Sequence, residues 1–376
     1  MTDIGSGLHI VEFAAGTLRF LDALPERTPA DGFIWVYVER ESLEDSLPQL
    51  QRAAQLLGGS PLLDLHVKDL GNRAHPSHYD YTSIYDMVVF RRLATAREVD
   101  LELGGADGAT SGPGIGLPAF QRIRTRAVAF AVFDRLLISV HPRGCYTARS
   151  FLDRFLADAV QTDGLGGAGR SRLPASPSDL MLRMINLMVD SYLALRKQLG
   201  AEMDEWQHEL LRPGSRAANW NALLLARSEL HKLEDLCEEQ NDAMQEWLDT
   251  AHEQPAPGLT QAERDGLLAR ARDIIEHVQR VIQHVRRMEH GAETVVQIHF
   301  SAQSHRTNEI MRVLTALAAV FLPLNFITGF FGMNFEFLPL IHSEFSMWAL
   351  LLGMALLALV VLLVFWRKRY LDRTGR

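Results

Sequence analysis

Two apolar runs near the C-terminus dominate the pattern of hydrophobic and polar positions. Residues 313–331 are 19 positions without a charge, and residues 346–366 are 21. About 20 apolar residues at 1.5 Å each cross a bilayer as a helix. Only 14 residues, 332–345, join the two runs. The pattern predicts a transmembrane helical hairpin with Gly332-Met333-Asn334 at its turn.

Before the first run the pattern is amphipathic over a long distance. Leu268, Ala271, Ile274, Val278, Val281, Val285, Met288, Ala292, Val295 and Ala302 recur at alternating steps of three and four, with His299 in the same row. That is a heptad stripe. No proline interrupts residues 263–322, and Thr260 with Glu263 forms a capping box. One helix is expected from Glu263 to Phe331, roughly 100 Å long. A dimeric coiled-coil stalk is the alternative use of such a stripe.

Upstream, Asp179–Leu211 and Trp220–Ala251 are two further amphipathic helices, stopped by Pro213-Gly214 and by Pro255-Ala256-Pro257-Gly258. Residues 161–178 are rich in Gly, Pro and Ser and read as a linker, with a helix expected at 149–160. The first 150 residues mix strand and helix signals. Phe33–Val38, Tyr81–Phe90 and the runs 128–133 and 136–140 are the expected strands. Ser42–Leu57 is a helix with Ser42 as its cap and Gly58-Gly59 as its stop. Glu98–Pro118 is Gly-rich and reads as a loop without the context of a phosphate-binding turn.

The fold class is therefore α+β. The expected organisation is an α/β cytoplasmic domain at 1–178, a helical pair at 179–258 and a stalk helix at 259–312. A first span at 313–331, an outer loop at 332–345, a second span at 346–366 and a basic tail at 367–376 follow.

Charge orients the hairpin. Arg367, Lys368, Arg369 and Arg373 follow the second span, and Arg306 and Arg312 precede the first. The loop holds no Lys or Arg, only Glu336 and Glu344. Positive charge stays on the cytoplasmic side, so both termini are expected there, in a cell or inner membrane. A net charge of −8 argues against a nucleic-acid partner. Two cysteines make no disulfide framework. The first residues lack the basic and apolar regions of a signal peptide.

Candidate chemistry is sparse outside the membrane. No nucleophile, metal-ligand or nucleotide set points to an enzyme, and no resident cofactor is implied. The stalk histidines, His277 and His284 among them, read as solvated surface groups. In the first span, Asn308, Met311, Thr315, Ala318, Leu322, Asn325 and Gly329 share one helical stripe, bordered by Leu314. Polar groups in a span face protein or water. The stripe suits a water-filled path between several copies of the helix, or a packing face between two.

The runs Thr307–Thr315, Phe321-Leu322-Pro323-Leu324 and Thr328–Glu336, with Gly332-Met333-Asn334 between two C-terminal spans, resemble the CorA family of divalent-cation channels. The likeness extends along the stalk and to Val189-Asp190-Ser191-Tyr192. It implies a homopentamer in the lipid bilayer, with the stalk helix continuing as the pore helix. Asn334 would present amide oxygens to a hydrated divalent cation at the outer mouth. Asp273 would hold a regulatory metal, its partner carboxylate unplaced. The expected function is Mg2+ influx, extending to Co2+ or Ni2+, gated by cytoplasmic metal. The alternatives are proton-coupled Zn2+ transport of the ZntB type and a non-conducting scaffold. Phe337-Leu338-Pro339-Leu340 lacks the family's usual acidic residue, and Phe331 replaces its usual tyrosine.

Overall fold

The computed structural model describes residues 8–14, 16–95, 98, 118–121, 123–145, 148, 150–152, 173–210, 220–254, 258–333 and 344–367. The chain divides into two compact units, Met1–Glu293 and Thr294–Arg376.

The first unit is built on a seven-stranded sheet in the order β2-β1-β3-β7-β6-β5-β4. The strands are β1 Leu8–Ala14, β2 Thr17–Leu21, β3 Gly32–Glu39, β4 His78–Tyr81, β5 Asp86–Leu93, β6 Thr125–Val132 and β7 Leu136–His141. Among the described residues only β3 and β7 pair in parallel, with Val36 opposite Ile138; the other pairs are antiparallel. Helices α1 (Leu43–Leu57) and α2 (Asp64–Gly71) cover one face. There Val36, Val38, Val89, Ala129 and Ile138 pack against Leu50, Ala53, Ala54 and Leu70. The long helix α4 (Pro177–Leu210) lies on the other face; a short α3 (Pro118–Gln121) precedes it in the chain. With both faces covered, the central strands are continuous apolar runs without alternation, as in Phe33–Val36 and Val128–Val132.

Buried polar bonds join sheet and helices. Tyr192 of α4 donates its hydroxyl to the Arg91 carbonyl at 2.8 Å, and Gln240 of α5 (Trp220–Glu253) donates to the same carbonyl at 2.6 Å. On β7, Ser139 accepts from Trp35 Nε1 at 2.8 Å and faces His141 Nε2 at 2.9 Å. Burial, then the charges of Arg92 and Arg40, lower the His141 pKa from 6.5 to about 3. The folded state thus holds His141 neutral where the unfolded chain takes up a proton. Its contribution to stability is complete above pH ~6.5 and is lost as pH falls from there towards about 3. At 1.36 kcal/mol per pH unit the loss at pH 5 is about 2 kcal/mol. His141→Asn is expected to melt lower than the parent protein at pH 7, and the gap is expected to shrink between pH 6.5 and 5. Paired thermal melts measure it; a constant gap would show that His141 is not held neutral.

Two local expectations need correction. Tyr81–Phe90 is not one strand. Thr82 accepts the Tyr85 amide on its hydroxyl at 2.9 Å, and its own amide bonds the Tyr85 carbonyl at 2.9 Å, closing a hairpin turn between β4 and β5. A side-chain hydroxyl offering the backbone a turn outweighs the β propensity of its neighbours. Ser42 occupies the cap position of α1 but makes no side-chain cap bond. A 3-10 turn, Arg40–Ser42, runs straight into the helix, and the Leu43 amide bonds the Arg40 carbonyl instead. The glycine stop has a steric cause, since a Cβ on Gly58 would lie 2.5 Å from the Phe133 ring. Strands β1 and β2 and helix α2 were not anticipated. Of the expected helix at 149–160, residues 150–152 are described and helical; the Gly-rich stretch 99–117 and most of the linker lie outside the described residues.

Helix α6 runs unbroken from Gln261 to Phe331, and α7 from Glu344 to Arg367. Thr260 and Glu263 form the capping box, each amide bonded to the other side chain at 2.9 and 3.3 Å. The heptad stripe from Leu268 to Ala292 is buried within the single chain. Ion pairs tie this part of α6 to its own neighbours: Arg270 to Asp179 of α4, Arg286 to Glu234 and Glu238 of α5, and Glu293 to Arg227 of α5. The stripe is therefore covered by α4 and α5, which removes the reason to read it as a dimeric coiled-coil seam.

Candidate ion pathway

The second unit contains the end of α6 and all of α7. Both carry segments long and apolar enough to span a membrane, and only 6% and 0% of those segments are buried. A soluble core helix would be mostly buried, so the exposure favours lipid as the missing solvent.

The exposure along α6 is one-sided. Ala316 is buried, and Arg312, Ala319, Val320, Pro323, Leu324 and Ile327 are half-buried on the same side. Leu350, Met354, Leu357, Ala358, Val361 and Phe365 form a half-buried row on α7 with the same three-and-four spacing. Such paired rows are what two helices packed side by side produce. The predicted stripe is elsewhere. Met311, Leu314, Thr315, Ala318, Leu322, Asn325 and Gly329 are all exposed, and at about 100° per residue they lie opposite the half-buried row. Asn308 is exposed at the edge of the stripe. Thr315 donates its hydroxyl to the Met311 carbonyl at 2.7 Å, so its oxygen lone pairs point outward unused.

The helix closes at the motif. The Gly332 amide bonds the Thr328 carbonyl at 2.9 Å, and the Met333 amide bonds Phe330 at 3.3 Å. A Cβ on Gly332 would stand 2.9 Å from the Thr328 oxygen. Close approach to that carbonyl is what calls for glycine here. Met333 is exposed. Asn334 and Glu336 lie outside the described residues; Glu344 opens α7, its side chain likewise undescribed.

Asp273 lies on α6 in the first unit, its side chain half-exposed at 51%. Beside it is a residue that sequence reasoning set aside. His277 is only 17% exposed, with Nε2 3.5 Å from Asp273 and Nδ1 4.0 Å from Asp190 of α4. Asp190 is thus a carboxylate on the far side of the same imidazole. Its only signal was membership of the run Val189–Tyr192. His284, one heptad further, is also not a solvated group. It packs against Gly200 of α4, and burial, then Arg196 and Arg287, lower its pKa. Cys145 and Cys237 are buried and unpaired. Burial, with Glu234 and Glu238 near it, pushes the Cys237 thiol above its ordinary range.

These features define a class: a membrane protein with a sheet-and-helix domain, a 71-residue helix and a C-terminal pair of apolar helices. The family model described as CorA-like Mg2+ transporter protein matches residues 113–369, and the chain belongs to that family. It is 26% identical over 192 residues to the cobalt/magnesium transport protein CorA of Thermotoga maritima, a match covering 51% of this chain and 52% of that protein. The chain thus spans about half the length of that relative. It is 23% identical over 247 residues to the magnesium transport protein CorA of Haemophilus ducreyi, covering 65% of this chain and 71% of that one. The fold is similar to the complete structure of the CorA magnesium transporter from Methanocaldococcus jannaschii, with a TM-score of 0.69 at 15% identity over 100% of this chain and 99% of that one. It is also similar to the full-length CmaX protein, with a TM-score of 0.62 at 16% identity over 96% and 97% of the two chains.

Proposed function

We propose that this chain is one subunit of a homopentameric channel that admits Mg2+ into the cytoplasm. The observation that carries the reading is the exposed stripe from Met311 to Gly329, opposite the half-buried row and ending at Gly332-Met333-Asn334. A membrane-spanning face carrying Thr315 and Asn325 needs protein or water beside it. Two spans cannot enclose a path alone, so several copies must. The basic flanks support a cytoplasmic side for both ends of the hairpin. An inside-negative potential of 100 mV supplies about 4.6 kcal/mol to a doubly charged ion, at ~2.3 per charge. The direct test is Mg2+ flux into proteoliposomes holding the purified protein. Flux without a pH gradient supports a channel; flux that needs one supports proton-coupled transport, and Zn2+ competition distinguishes the cargo. No flux of any divalent ion overturns the reading.

In the same reading Asp273, with His277 and Asp190 beside it, is where cytoplasmic metal holds the channel shut. Carboxylates gathered between subunits repel, and a divalent ion removes that repulsion only in the arrangement that gathers them. Metal then shifts the equilibrium through its differential affinity for the two states. Asp273→Ala is expected to raise the internal Mg2+ needed for half-inhibition by about tenfold, the effect of ~1.4 kcal/mol of lost binding. Asp190→Asn should act in the same direction. Flux against internal Mg2+ measures both, and an unshifted curve places the regulatory site elsewhere.

A further inference from the structure

A second group of metal-ligating side chains lies between α5 and α6, on residues other than Asp273 and its neighbours. His231 and Glu234 are three residues apart on α5 and share a face. Glu289 reaches them from α6. One ligand atom from each of the three lies within 4.8 Å of the others. The carboxylates are half-buried and the imidazole is exposed. Neither the His231 side chain nor the Glu289 side chain makes a hydrogen bond or ion pair among the described residues.

The Glu289 pKa is raised from its ordinary value, by burial first and by the charge of Glu234 second; His231 and Arg227 pull the other way. Arg286 pairs with Glu234 and Glu238. Two carboxylates side by side, with an imidazole nitrogen facing them, are a mixed nitrogen and oxygen donor set. Mg2+ favours oxygen ligands and keeps most of its water. Imidazole nitrogen suits Zn2+, Co2+ and Ni2+.

We propose that His231, Glu234 and Glu289 form a binding site for a transition-metal dication, with Zn2+ as the reference ion, that bridges α5 and α6. Bonds of 2.0–2.2 Å put the donors of a tetrahedral site about 3.4 Å apart. The three side chains therefore close by little more than 1 Å, within reach of rotamer adjustment. Water completes the coordination. The site does not depend on the conduction path, and it gives the chain a way to distinguish such metals from Mg2+.

The test is Zn2+ binding to the full-length, metal-stripped protein in detergent, by titration calorimetry with excess Mg2+ present. The expected result is a Zn2+ site in the parent protein and in Asp273→Ala, weakened at least tenfold by Glu289→Gln and lost in His231→Ala/Glu289→Gln. Arg286→Gln, which frees Glu234 from its competitor, should tighten binding severalfold. A Zn2+-dependent rise in melting temperature, present in the parent protein and absent from the double variant, reads the same site without calorimetry. Unchanged Zn2+ affinity in Glu289→Gln and in the double variant overturns the proposal, as does displacement of Zn2+ by equimolar Mg2+. Because binding is read without flux, failure here leaves the channel reading standing, and absence of flux leaves this site standing.

Discussion

Asn334→Ala is expected to reduce Mg2+ influx to background while the oligomer stays intact. Asn334 is the one polar side chain of the Gly332-Met333-Asn334 turn. Mg2+ sheds water reluctantly, so capture at the mouth works through the hydration shell, with amide oxygens accepting from bound waters. Neutral oxygens hold the ion weakly enough for release inward. In a pentamer one substitution removes five acceptors at once. At about 1 kcal/mol net for each hydrogen bond, roughly 5 kcal/mol is lost, more than a thousandfold in occupancy of the entry site. A fluorescent Mg2+ indicator inside proteoliposomes reads the flux, and light scattering after size exclusion reads the oligomer. Parental flux in this variant would show that ions enter elsewhere.

Leu314→Ser and Leu322→Ser are expected to raise basal leak about tenfold or more under metal-replete conditions. Both leucines are exposed on the stripe, at 57% and 68%. Rings of leucine around an axis empty a narrow path of water, and an ion cannot enter a dry segment. A leucine side chain prefers a dry surrounding over water by about 1.5–3 kcal/mol, a preference that a small hydroxyl side chain lacks. Lowering the barrier by that amount gives a factor of ten or more. Leak measured at saturating internal Mg2+ separates two uses of the stripe. A rise in either variant supports the path; no change in both makes the stripe a packing face between helices.

Much of the membrane part was legible because its signals are local. A run without charge is as long as a bilayer is thick, and the pattern at 313–331 needs no partner to be recognised. The Thr260–Glu263 capping box likewise fixes a helix start through bonds within four residues. Strands β1, β2 and β4 were harder. β2 and β4 are the short edges of the sheet and β1 lies next to one, and what makes them strands is the neighbour they pair with. Thr82 shows the same limit on a smaller scale: the residues around it are good strand formers, yet its hydroxyl closes a turn.

The stalk histidines were misread for a related reason. Periodicity places His277 and His284 on α6, but it does not say that α4 lies against that side of the helix. Asp190 and Asp273 are 83 positions apart in the chain and come to opposite nitrogens of one imidazole.

By itself, the sequence determined the two spans, the unbroken helix that contains the first of them, the stripe of polar and small residues along it, and the glycine at the turn. Each depends on the period and length of a single segment, which backbone geometry translates directly into structure. Only the tertiary structure decided that the heptad stripe is covered by α4 and α5 of the same chain, that β3 and β7 lie side by side in parallel, and which carboxylates stand beside His277 and His231. A periodic apolar face states that something must cover it. What covers it depends on contacts between distant segments, where burial, shape and charge are settled together.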